Sequence, residues 1–162
     1  MLRESERSVA RRHFQIQRGR IVLLSAFRFT FAIVAWLFLI AVIVQVFLAG
    51  VGFFVPGVDP FSYHRSLGWL LHGVPLLVLL FAWLARSGRT TIWLSVALIV
   101  LVGIQPFLPG LRTSLPLVAA LHPVNALAIF WVALAIARQA TALLRRPTAV
   151  QSEPAAEEAA IP

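Results

Sequence analysis

Residues 29–54 read FTFAIVAWLFLIAVIVQVFLAGVGFF. Across these 26 positions only Thr30, Gln45 and two glycines interrupt the apolar run. A helix rises 1.5 Å per residue, so roughly 20 apolar residues cross about 30 Å of hydrocarbon. The stretch is long enough to span a bilayer. It is too long, and too far from Met1, for a secretory leader, whose apolar run is about 7–15 residues. It is expected to stay as an anchor.

Three further runs qualify on the same criterion, at about residues 67–85, 91–108 and 115–137. The connectors are short and carry turn residues or charge: Pro56 to Ser66, Arg86 to Thr90 and Pro109 to Ser114. Short connectors make neighbouring helices antiparallel. Barrel strands would alternate polar and apolar residues, and these runs do not. The whole chain agrees, with 60% apolar residues, 12% charged and a mean hydropathy of +0.88. Soluble domains hold about 45–50% apolar and about 25% charged residues. The expected fold is an all-α, integral membrane four-helix up-down bundle. Its expected segments are a basic arm at 1–20, a membrane domain at 21–146 and a disordered Ala-, Glu- and Pro-rich tail at 147–162.

All 14 basic residues are arginines, and the net charge is +8. Seven arginines precede Phe29, Arg86 and Arg89 lie in the second connector, and Arg138, Arg145 and Arg146 follow the last run. Only Arg65 and Arg112 fall on the other side. That bias predicts cytoplasmic termini in a bacterial inner membrane, with the arm on anionic headgroups rather than on nucleic acid. The absence of cysteine excludes disulfides, thiolate metal sites and covalently attached haem.

A polar residue inside a span is costly, so by default it faces the bundle interior and invites a functional reading. Counted from the span ends, Gln45, His72, His122 and Asn125 fall roughly 10–15 Å below the outer surface. His64 and Gln105 are shallower, and the inner half reads as almost free of polar groups. His72 and His122 lie on the second and fourth spans, which face each other diagonally in a square bundle. Two imidazoles so placed suit the axial positions of haem b, bound between these spans near the outer face. Gly68 lies one turn outward of His72, and alanines flank Gln45 and His122, leaving room for a flat ligand. Close-packed membrane helices use small residues in the same way. Arg65 and Arg112 are placed to meet haem propionates. His64 shares a stripe with Gly68 and His72 and is an alternative ligand, and three histidines also suit copper or zinc. Pro75 and Pro123 are expected to kink their helices beside the histidines.

The blocks QVFLAG (45–50), HRSLGWLLH (64–72) and LHPVNA (121–126) resemble an uncharacterised bacterial family of small four-span membrane proteins. Tyr63-His64-Arg65 followed by Gly68 is similar to the segment opening a haem-ligating helix in haem A synthase. That family carries a glutamate three residues before its histidine, where this chain has Phe61. The resemblance implies His64 as the ligand. Four-span haem b bundles of the cytochrome b561 type are similar in outline.

The leading expectation is therefore a haem b protein for electron transfer or redox sensing, with a quinone or another membrane redox protein as partner. A non-catalytic membrane subunit or scaffold without cofactor is the alternative, and a small transporter or metal-handling protein comes third. No nucleophile elbow, phosphate loop, zinc-protease motif or carboxylate pair marks an independent enzyme. No repeat of solenoid period is evident. One histidine on each helix pair does not by itself establish a duplication.

Overall fold

A computed structural model describes the backbone of residues 2–57, 59 and 61–146, with side chains from residue 14 onward. The expected tail at 147–162 and the side chains of the arm through His13 lie outside the described residues. All regular structure among the described residues is helical. The helices are α1 (Leu2–Phe54), α2 (Ser62–Leu71), α3 (Val74–Leu84), α4 (Arg89–Ile104), α5 (Phe107–Gly110), α6 (Pro116–Ala119) and α7 (Leu121–Leu144). They form four rods long and apolar enough to cross a membrane: Phe14–Phe54, Ser62–Leu84, Arg89–Gly110 and Pro116–Leu144. At 1.5 Å per residue, the 53 residues of α1 extend about 80 Å, well beyond one bilayer.

Consecutive rods pack side by side, and the first closes the ring against the fourth. The result is a square, with the second and fourth rods on one diagonal. Its core runs from the arginine-bearing end to mid-bundle. Phe31, Ala35, Phe38 and Val42 repeat at helical spacing on α1 and are buried. Ala82 and Ala85 on α3, and Ala133, Ala137 and Ala140 on α7, are likewise buried. Small side chains let helix backbones approach closely, which is how helices associate when the surrounding lipid is as apolar as they are. Outward-facing residues are large and apolar, with Phe47, Trp83 and Leu117 exposed by 69%, 68% and 85%. Such a surface suits lipid rather than water.

Three turns set the positions that matter. At the first, Phe61 takes a left-handed φ of 65° and lies against Gly52, where a Cβ would stand 2.7 Å from the Phe61 nitrogen. Only glycine permits that approach. The second rod breaks at His72–Gly73, because Pro75 has no N–H to offer the Leu71 carbonyl. The fourth rod breaks at Ala120, since Pro123 likewise leaves Ala119 without an acceptor's partner. Both interruptions fall within a turn of the prolines, at residues that keep right-handed helical backbone angles, so each rod continues through its break.

Candidate functional site

His122 lies in the first turn of α7, as His64 lies in the first turn of α2. The two imidazoles meet, with ring centres 6.1 Å apart and planes at 70°. His72 is eight residues further along, about 12 Å at helical rise. Its ring packs on Trp69 of the same rod, centre to centre at 5.6 Å. The structure thus brings together His64 and His122, and sets His72 deeper.

Each member of the pair is held by a glutamine's backbone. His64 Nδ1 lies 3.0 Å from the Gln45 carbonyl oxygen, and His122 Nδ1 lies 3.1 Å from that of Gln105. A carbonyl only accepts, so each Nδ1 carries the proton and each Nε2 keeps its lone pair. Pro109, four residues after Gln105, has no N–H, which leaves the Gln105 carbonyl open for His122. Histidines that ligate metals are commonly oriented by the same kind of Nδ1–H to carbonyl bond.

The surroundings of the two rings differ. Beside His122, the Gln105 amide nitrogen donates to the His122 carbonyl at 3.1 Å and lies 3.4 Å from Nε2. Asn125 Nδ2 donates to the Leu101 carbonyl at 2.9 Å and to Gln105 Oε1. Beside His64, the Gln45 side chain leans on Gly68, where a Cβ would stand 3.0 Å from its Nε2. Gln45 Oε1 is buried with no hydrogen-bond partner. The space expected at Gly68 for a flat ligand is therefore filled by this amide. Arg65 pairs with Asp59 at 3.1 Å, on the exposed rim. Arg112 is exposed in the turn after α5.

The sequence reading missed a second polar group, near the arginine-bearing end. Thr91 and Ser95 are buried, and the Thr91 hydroxyl donates to Gln139 Oε1. Ser95 Oγ donates to the Thr91 carbonyl at 2.8 Å. Trp36 Nε1 donates to Thr141 Oγ1 at 2.9 Å, tying the first rod to the fourth. The inner half is consequently not devoid of polar contacts. Thr and Ser satisfy themselves on their own helix, which made them easy to overlook. Gln139 was the available signal, although it stands beside Arg138 at the polar end of the last run.

Among the described residues no group of three or more His, Cys, Asp or Glu side chains is arranged to hold a metal ion. The protein's own donors amount to two imidazoles. Two such rings on opposite sides of one metal, at about 2.0–2.1 Å from each nitrogen, have centres about 6 Å apart.

Residues 45–113 match the model of a family of unknown function, DUF6220. The match opens at Gln45 and takes in His64, Gly68, His72 and Gln105, but covers less than half of the chain and stops short of His122. No curated protein and no solved structure matches.

Proposed function

We propose that this chain is a bacterial inner-membrane protein that holds haem b between His64 and His122, for electron transfer or redox sensing. The observation that carries the reading is the imidazole pair itself. Both Nδ1 atoms are tied to carbonyls, the ring centres stand 6.1 Å apart, and each Nε2 is left as an acceptor, that of His122 facing the Gln105 amide nitrogen at 3.4 Å. Two imidazoles alone are a poor cage for zinc, which takes four ligands. They would instead suit a haem iron, which would supply the one-electron redox chemistry of carrying or sensing electrons. His64 rather than His72 pairs with His122 here, and a macrocycle would require the Gln45 side chain to leave Gly68.

In this reading the arginine-rich end faces the cytoplasm and anionic headgroups, and the haem lies in the outer leaflet. Its redox partner is a quinone or another membrane protein. The test is a pyridine haemochrome assay on the chain purified from a haem-replete host. About one haem b per chain is expected, and a haem-free chain rejects the reading.

One observation favours a cofactor-free scaffold as the second reading. The Gln45 amide already fills the space over Gly68, and Gln105 already approaches His122 Nε2. A scaffold gives flat visible spectra, and its His64→Ala and His122→Ala variants differ from wild type only in melting temperature.

A further inference from the structure

The two histidine clasps belong to a wider correspondence between the halves of the chain. Residues 45–50, QVFLAG, and residues 105–110, QPFLPG, share the pattern Q-x-F-L-x-G at a separation of 60. Carried back at that separation, the buried face of α1 falls on that of α4. Phe31 meets Thr91, Ala35 meets Ser95, Phe38 meets Leu98 and Val42 meets Val102. His64 and His122 set a separation of 58 for the returning helices. Carried forward at that value, buried Pro75, Val78, Ala82 and Ala85 fall on Ala133, Ile136, Ala140 and Leu143, all buried. The remaining buried residues of these rods fall on half-buried ones, and none falls on an exposed one. An arbitrary shift along a 3.6-residue period would misplace some of them.

The packing has the same symmetry. Exchanging the first rod for the third and the second for the fourth turns every neighbouring pair into another neighbouring pair. That exchange is a two-fold rotation about the bundle axis. Parallel repeats about the membrane normal recur in membrane proteins whose ligands bind at the repeat interface. His64 and His122 are equivalent under this rotation, so the axis passes between their rings.

The copies differ beside the clasp. Asn125 follows His122 by three residues and bonds the Gln105 amide. The equivalent of Asn125 is Leu67, and the equivalent of Ala126 is Gly68. The first copy has thus lost the partner of its glutamine and opened the space into which that glutamine leans. Its amide oxygen is left buried and unbonded.

We infer that the chain is a tandem repeat of one helical hairpin whose two-fold axis is the ligand axis, and that the unbonded Gln45 amide contacts the occupant. The inference rests on the preceding reading, that the two imidazoles share an occupant. With haem b in place, the polar substituents are its carboxyl groups, and the orphaned Gln45 Oε1, which only accepts, would take the O–H of a protonated one. Gln105, locked to Asn125, is a positioning residue, and Gln45 is the ligand contact.

The test uses the full chain in detergent, with melting followed on haem-free protein and affinity by haemin titration. Leu67→Asn restores to the first copy the donor that Asn125 supplies to the second. It is expected to raise the melting temperature by about 2 °C and to weaken haem binding roughly tenfold, because the amide is then occupied. Gln45→Leu weakens haem binding to a similar degree without lowering the melting temperature, whereas Gln105→Leu lowers it. A Leu67→Asn variant that melts lower than wild type overturns the repeat. Unchanged haem affinity in Gln45→Leu overturns the contact. A wild-type chain that binds no haem removes the occupant, and with it the contact, while the Leu67→Asn melting shift still decides the repeat.

Discussion

The two ends of the bundle are built on different physics. From mid-bundle to the arginine-bearing end, alanines and a few larger apolar side chains close the interior, with Phe31, Ala82, Ala85, Leu98, Ala137 and Ala140 all at 0% exposure. Toward the histidine end, from Gln45 to Val74 and from Gln105 to Ala128, the one buried side chain among the described residues is Leu108. That end is held by carbonyl–imidazole and amide contacts instead. Close packing yields a rigid interface with no room to spare. Polar contacts between partly exposed helices leave room for a ligand at modest cost in stability. The contrast separates the part of the molecule that holds it together from the part where the proposed site lies.

Emptying or overfilling the tight end should have the largest effects. Phe31→Ala is expected to cost about 3–5 kcal/mol, the usual penalty for emptying a buried aromatic site. Ala137→Leu should cost about 1–3 kcal/mol through overpacking where α7 meets its neighbours. Both are measurable by thermal or denaturant unfolding in detergent. An equally severe effect from Gly68→Ala, whose new methyl need only push aside the flexible end of Gln45, would break the contrast.

Smaller effects are expected for the polar groups. Thr91→Val leaves Gln139 Oε1 without its donor and should cost about 1 kcal/mol, since interhelical hydrogen bonds in membranes average about 0.6 kcal/mol and reach about 1.7. Asn125→Leu should cost a similar or lesser amount by the same assay. Arg65→Ala should change stability by no more than about 0.5 kcal/mol, because its bond to Asp59 is made on the exposed rim, where solvent and salt screen it. Melting points measured in low and high salt would expose any larger contribution.

The four rods and their ring order were legible from apolar run length and connector length, because the bilayer imposes a minimum length that few other constraints imitate. The site was legible only in part. Gln45, His64, His122 and Asn125 were recognisable because polar groups in an apolar run stand out. Which histidine meets His122 was not, since run length does not fix how far each rod is shifted along its neighbours. In the structure His122 meets His64 rather than His72. Pro123 signalled a disturbance without giving its size. The two Q-x-F-L-x-G segments were present in the sequence all along. Matching buried faces were needed to distinguish them from the general abundance of Phe, Leu and Gly.

The most direct test of the shared imidazole site is the low-temperature electron paramagnetic resonance spectrum of the haem-loaded chain and its three membrane-histidine variants. Wild type and His72→Ala are expected to give the low-spin ferric signal of iron held by two imidazoles. His64→Ala and His122→Ala should each lose that signal, becoming high-spin or haem-free. A low-spin signal that survives His64→Ala but vanishes in His72→Ala would contradict the pairing that the structure displays.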